Sequence, residues 1–198
     1  QSTSHLKNDS IVKEAAYEIT EDTGDTMTLS FSLPANTGAY LYFDHLYVGK
    51  GTSSRKVAKL YVDCQGVQNS FPVLAAGHEH YTGKNQYLCN LGYCDTERSS
   101  LTITFDHRYL VSYDNIKILY YDYDNYLSNV SNLKKATLQN VSFTGNTLTG
   151  TIDLDEDKIL CLSIPYAKGW SAYVDGVKTD IKKGNYMFSC ISLSSGSH

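Results

Sequence analysis

Apolar and polar residues alternate along much of this chain with a period of two, as in strands that bury one face and wet the other. The clearest run is Met27, Leu29, Phe31 and Leu33 interleaved with Thr26, Thr28, Ser30 and Ser32. Residues 39–48 predict a second strand with aromatic side chains on both faces. Residues 56–62 alternate again before Cys64-Gln65-Gly66 turns the chain into Val67. Further strands are predicted at 85–93, 101–105 and 115–121, and residues 14–19 open the first strand with a propensity equally helical. Breakers separate them: 22–25 with Gly24, 34–38 with Pro34, the loop 49–55 and the irregular stretch 75–84. Residues 1–10 are polar and expected to fray. Strands at this spacing, with no long helical pattern between them, predict an all-β fold, an antiparallel β-sandwich of jelly-roll type.

One stretch departs from that period. Between Asp122 and Lys135, Tyr126, Val130 and Leu133 recur at helical spacing, with Asp124 or Asn125 placed to cap. This predicts a sandwich subdomain over residues 1–122, a helical connector over 123–136 and a smaller antiparallel β subdomain over 137–198. The last is thin and is expected to pack on the first. Within it, 138–144 and 147–154 flank Gly145-Asn146 as a hairpin. Residues 159–164 make an apolar strand bounded by Pro165 and Gly169, and 170–174 make another. Asp175-Gly176 then supplies the φ > 0 pair of a two-residue turn, with Val177, Lys178 and Thr179 returning. Residues 185–193 predict a further strand.

Composition narrows the function classes. Of 198 residues, 41% are apolar and 19% charged, with a net charge of -4. No basic field exists for nucleic acid, so no nucleic-acid partner is predicted. No run reaches the ~18 apolar residues of a membrane helix. The opening Gln1-Ser2-Thr3-Ser4-His5-Leu6-Lys7 lacks the apolar core of a signal peptide. Any membrane tie is expected outside this stretch. The 17 Tyr against 6 Phe suit pleated, half-buried surfaces and also sugar-binding ones; strand packing accounts for the larger share.

The five cysteines cannot all pair. Cys89 and Cys94, either side of Gly92, are the first candidate disulfide. Cys161 and Cys190 are a second, against the plainer reading of free thiols buried in strands. Without Cys-x-x-Cys spacing, neither a zinc ribbon nor a thioredoxin-like site is indicated. His78-Glu79-His80 is the densest group of potential ligands, but it falls in a loop without a third anchored ligand, and no metal site is predicted. Asp153, Asp155, Glu156 and Asp157 crowd a turn and read as solvated acids, with calcium the alternative and the EF-hand pattern unmet. No Gly-x-Ser-x-Gly elbow, Walker loop or dinucleotide fingerprint occurs, and nothing selects a carboxylate pair for glycoside hydrolysis. Neither catalytic residues nor a cofactor are predicted. What remains is a candidate glycan-binding group: Tyr166, Lys168, Trp170, Tyr173 and Asp175. Rings beside a Gly turn offer a flat face to a sugar, with Lys168 and Asp175 hydrogen-bonding its hydroxyls. The competing reading makes Trp170 the plug of a small core with Tyr173 beside it, and burial tendencies favour it.

These residues also carry a family resemblance. Leu162-Ser163-Ile164-Pro165-Tyr166, Lys168-Gly169-Trp170 and Val174-Asp175-Gly176 are continued by Asn185, Met187-Phe188 and the closing Leu193-x-x-Gly196-x-His198. Over residues 145–198 this resembles the bacterial YfhO membrane-protein family. Tyr40-Leu41-Tyr42-Phe43 and Lys59-Leu60-Tyr61-Val62 sit where that family has similar strands, and residues 64–120 carry no motif of it. The resemblance implies a polytopic parent similar to GT-C glycosyltransferases, which use polyprenyl-phosphate-linked sugars and are associated with glycosylation of lipoteichoic acid or other surface polymers. This portion resembles the large domain near the C-terminus, on the extracytoplasmic face of the bacterial cell membrane. The family's catalytic acids would lie in membrane-part loops outside this chain, and a last strand and a membrane helix are expected beyond His198. The implied function is a non-catalytic outer domain that positions cell-surface glycopolymer or polyprenyl-phosphate sugar. A structural or protein-interaction module and a secreted carbohydrate-binding module are the alternatives.

Overall fold

A computed structural model describes residues 12–51 and 56–198 of the chain. The expected fraying of residues 1–10 and positions 52–55 of the expected loop lie outside them. The chain divides into two compact units, the first ending at Ser128 and the second starting at Asn129.

The first unit contains β1 (Val12–Ala15), β2 (Tyr17–Asp22), β3 (Thr26–Leu33), β4 (Thr37–Asp44), β5 (Tyr47–Gly51) and β6 (Val57–Cys64). It continues with β7 (Val67–Leu74), β8 (Tyr87–Cys94), β9 (Arg98–Thr104), β10 (Tyr109–Ser112) and β11 (Asn115–Asp122). One antiparallel sheet runs β1-β11-β4-β8 and the other β2-β3-β9-β6-β7. Their inner faces share one core, so the expected all-β sandwich is what the chain forms. Period-two patterning does this directly: Met27, Leu29, Phe31 and Leu33 of β3 are all buried, while the Thr and Ser between them are not. Ala39, Leu41 and Phe43 of β4 enter the same core, and Tyr40 and Tyr42 stay half-buried on the other face. Gln65 and Gly66, with φ of 50° and 95°, form the tight turn that pairs β6 with β7.

Two expectations fail here. Residues 39–48 are not one strand: the chain breaks at His45, whose φ is 50°, and restarts as β5. That strand takes in Gly49 and Gly51, expected as loop, and pairs with the unforeseen β10 in a separate ribbon. The bend places the His45 ring between the carboxylates of Asp44 and Asp114, each 3.3 Å from Nδ1.

Arg98 ties the two sheets together from inside. Where β8 pairs with β4, the register skips Leu91, a bulge made possible by Gly92 at φ 74°. Arg98, at the start of β9, is 1% exposed; its Nη1 donates to the Leu91 carbonyl at 3.0 Å and its Nη2 to the Thr37 carbonyl at 3.1 Å. A buried polar group needs such partners, and the bulge supplies one of them.

Helix α1 (Tyr123–Lys134) is the one expected from residue spacing. Its cap is Asp122, whose Oδ1 accepts from the Asn125 N–H at 2.8 Å, rather than Asp124 or Asn125. Asp124 instead accepts from Asn36 Nδ2 at 2.7 Å, and the Tyr93 hydroxyl donates to Asn36 Oδ1 at 2.9 Å. Around this polar link runs a chain of ring contacts, Tyr40 to Tyr121 to Tyr126 to Tyr123 to Tyr93. Much of the tyrosine excess thus seats the first turns of the helix against the outer face of the β4 sheet.

The second unit holds β12 (Gln139–Thr144), β13 (Thr147–Thr151), β14 (Asp153–Leu154), β15 (Lys158–Pro165) and β16 (Ala172–Val174). After them come β17 (Val177–Thr179), β18 (Lys182–Gly184), β19 (Phe188–Leu193) and β20 (Gly196–Ser197). They pair as the ribbons β12-β13, β14-β20 and β16-β17 and the sheet β15-β19-β18. Gly145 at φ 61° turns the first ribbon, and Asp175 and Gly176 at 51° and 79° turn the third, as their sequences require. The core is small: Ile152, Leu154 and Leu193, with Leu138, Leu160, Val174 and Ile191 against them. Residues 185–187, expected as strand, form the β18–β19 turn instead, with Asn185 and Tyr186 at φ 42° and 69°. Trp170 and Ser171 precede β16 and are not part of it.

All five cysteines are free thiols. The expected Cys89–Cys94 bridge is excluded by strand geometry. Both lie on β8, where a rise of roughly 3.3 Å per residue sets them far beyond the ~7 Å Cα limit of a disulfide.

Candidate functional site

The strands of the second unit leave a cleft of about 410 Å³. Leu162 and Ile164 of β15 and Ile191 of β19 supply apolar wall, Trp170 and Tyr173 line it with rings, and Asn146, Thr147, Thr149 and Ser171 add amide and hydroxyl groups. Trp170 is half-buried and is not among the residues packed on the small core. Gly169 leaves the approach open, and the Trp170 N–H closes a turn onto the Ala167 carbonyl at 3.3 Å. Ser189 also lines the cleft; it is 3% exposed and its Oγ has no hydrogen-bond partner among the described residues. A buried hydroxyl without a partner costs about 1–3 kcal/mol. Among the described residues, no Asp, Glu, Lys, Arg or His lines this cleft. Its chemistry suits a neutral, hydroxyl-bearing ring stacked on an aromatic face.

Tyr173, 64% exposed, stands between this cleft and a neighbouring one of about 220 Å³ that contains Asp175 and His198. There His198 Nδ1 lies 2.8 Å from Asp175 Oδ2, and its Nε2 lies 3.0 Å from the Ser194 carbonyl. Both ring nitrogens face acceptors, which only the doubly protonated ring satisfies in full. The Asp175 carboxylate, and then the Ser194 carbonyl, accordingly hold the His198 pKa above its ordinary value. His198 is fixed in place by exchanging backbone hydrogen bonds with Ile152 at 2.8 and 2.9 Å.

Of the five residues expected to bind glycan, the structure brings Trp170 and Tyr173 to one cleft and Tyr173 and Asp175 to the other. Tyr166 and Lys168 line neither; Tyr166 is 45% exposed, with its N–H on the Met187 carbonyl at 2.8 Å. Ser189 and His198 were not foreseen as site residues. Spacing gave no sign of Ser189, whereas His198 stands in the closing Gly-x-His motif. The acids of the 153–157 turn are occupied locally. Asp155 and Glu156 pair with Lys158 at 2.8 and 3.5 Å, Asp153 accepts from the Ser197 hydroxyl and Asp157 from the Ser195 N–H. His78 and His80 sit in the turn-rich link between β7 and β8, where His78 Nδ1 accepts from the His80 N–H at 3.1 Å.

A family model described as bacterial membrane protein YfhO matches residues 1–198. The chain belongs to the YfhO family. The match includes residues 64–120, where the sequence shows no recognisable motif. A relative from Bacillus subtilis (strain 168), described as uncharacterized protein YfhO, is 34% identical over 70 residues, which is 32% of this chain and 8% of that protein. The chain thus spans a small part of its curated relative's length. No solved structure matches. Among the described residues no helix is long and apolar enough to cross a membrane, which fits a domain of a YfhO-family membrane protein.

Proposed function

We propose that this chain is a non-catalytic extracytoplasmic domain of a polytopic membrane glycosyltransferase, and that it positions cell-surface polymer or lipid-linked sugar. The observation that carries this reading is the cleft that Trp170 and Tyr173 line with rings and Asn146, Thr147, Thr149 and Ser171 with neutral amide and hydroxyl groups. A sugar ring laid against the indole would exchange weakly bound water for ring stacking. The neutral lining selects the sugar portion of the ligand over its phosphate. Affinity is expected to be weak for one sugar and to rise with several along a polymer. Family membership supports the membrane context.

Titrating isotope-labelled protein with glycosyl-glycerol-phosphate fragments tests it. Amide shifts are expected at residues 146–149, 169–173 and 189–191, and their absence at millimolar fragment would contradict the reading. A second reading, a module that braces the membrane part or docks a partner protein, is favoured by a different groove. There Leu133 of α1, 75% exposed, and Ile159 of β15, 70% exposed, line about 820 Å³ with Ala136 and Phe188. It predicts no glycan-dependent shifts and loss of parent assembly on Leu133→Asp together with Ile159→Asp.

A further inference from the structure

Cys161 of β15 and Cys190 of β19 are direct partners in the antiparallel register, which runs without a break from Lys158↔Leu193 to Leu162↔Ser189. Directly opposed residues share one face of a sheet and lie roughly 4.5–5.5 Å apart at Cα. That falls inside the roughly 4.4–6.8 Å a disulfide spans. Of the five thiols in the chain, these two alone are opposed across a ladder. Cys161 is exposed and Cys190 is buried. Gly184, beside Cys190 on β18, leaves the Cys190 sulfur its space, since a Cβ there would collide with it.

We infer that Cys161 and Cys190 form a modification site, a reversible cross-strand disulfide made by exchange with a small-molecule disulfide. The Cys161 thiolate attacks one sulfur of the oxidant RSSR, forming a mixed disulfide and releasing one thiolate, which takes up the proton lost by Cys161. Cys190 then loses its proton and attacks the Cys161 sulfur, and the second RS⁻ leaves as RSH. Two protein thiols are oxidised to one disulfide and one RSSR is reduced to two RSH. Exposure makes Cys161 the entry point. Burial, and then the neighbouring Cys161, hold the Cys190 thiol above its ordinary pKa, so Cys161 is the thiol that meets the oxidant first.

The bond would matter because, among the described residues, β15 pairs with β19 alone in its sheet. These strands also provide Leu162, Ile164 and Ile191 to the cleft. Cys161 and Cys190 alternate with those residues and lie on the other face, so the bridge locks the register without filling the cleft. The inference rests on strand register and stands whether or not the cleft binds glycan.

The test is oxidation of the folded full chain with oxidised glutathione, alkylation without reductant, and tryptic mapping. The expected product joins the peptide of residues 159–168 to that of residues 184–198, lighter than their sum by two hydrogens and separated again by dithiothreitol. Cys161→Ser should abolish the linked peptide and return Cys190 as a free thiol, alkylated once the chain is unfolded. Recovery of both cysteines unlinked, a glutathione adduct that stays on Cys161, a Cys161–Cys161 link between molecules, or the same mixture of pairings as in denaturant would each overturn the inference.

Discussion

Replacing Arg98 probes how the two sheets of the first unit are joined. The guanidinium is 1% exposed and its hydrogen bonds go to backbone carbonyls: Leu91 at 3.0 Å, Thr37 at 3.1 Å and, more weakly, Gly92 at 3.4 Å. Nε is buried without a partner among the described residues. Hydrogen bonds from a charged donor are each worth about 1.5–3 kcal/mol net, so the two shorter ones contribute about 3–6 kcal/mol. Those values are net of exchange with water, and the orphaned Nε takes back about 1–3 kcal/mol of them. The balance is a few kcal/mol, and removing the charge is milder than keeping it buried with fewer partners. Arg98→Met is expected to cost about 1–3 kcal/mol, because two carbonyls lose their donor. Arg98→Lys should cost about 3–5 kcal/mol, since it buries a charge that can reach fewer carbonyls. Urea unfolding followed by far-ultraviolet circular dichroism reads the order, with midpoints falling from wild type to Met to Lys at unchanged slope. A Lys variant as stable as wild type, or a Met variant more stable than it, would refute this account of the sheet-to-sheet tie.

Gly38→Ala should destabilise by about 1–3 kcal/mol, seen as a lower melting midpoint, because the added Cβ meets the Tyr121 ring. The His198–Asp175 contact should stabilise fully below the unfolded histidine pKa of about 6.5 and fade as pH rises through the raised folded value. Asp175→Asn should flatten that dependence, and an NMR titration of the His198 ring should show its pKa fall. Asp106, held down to about 2 chiefly by its hydrogen bond from Arg108, contributes stability above its unfolded pKa of 3.8 that is lost as pH falls toward 2; Arg108→Gln should flatten that acid-limb slope in stability measured against pH, with the backbone hydrogen bonds to the carboxylate keeping part of it. Closing Cys161 to Cys190 would constrain a loop of about 30 residues, worth roughly 3–4 kcal/mol on chain entropy. Oxidised protein should therefore melt above reduced protein, and a Cys161→Ser variant should show no difference.

Local grammar carried most of the fold. The β3 alternation, the Gln65-Gly66, Gly145-Asn146 and Asp175-Gly176 turns and the α1 spacing all depend on neighbours in sequence, and each element stands where its pattern puts it. What was not legible depends on residues brought from afar or on a single unusual dihedral. Nothing in the apolar run 39–48 marks His45 as the residue that adopts a positive φ. The short β10 has too little pattern of its own and is defined by pairing with β5. Asn185 and Tyr186 look like the start of a strand until both are seen in the left-handed region. The site divides the same way. Trp170 and Tyr173 stand close in sequence beside a turn, so their grouping was readable. Ser189 joins them only through the β15–β19 register, and Asp175 meets His198 only because β20 folds back on β14. The Cys89–Cys94 expectation failed because nearness in sequence, on an extended strand, is distance in space.

The cleft can be interrogated most directly through the chain's single tryptophan, since Trp170 is itself a lining residue. Adding glycopolymer fragments to the protein should change Trp170 emission in a saturable way, with the response weakened by Tyr173→Ala and not reproduced by inorganic phosphate. Emission that stays flat to millimolar fragment, in protein whose circular dichroism shows it folded, would contradict a sugar-positioning role for this domain.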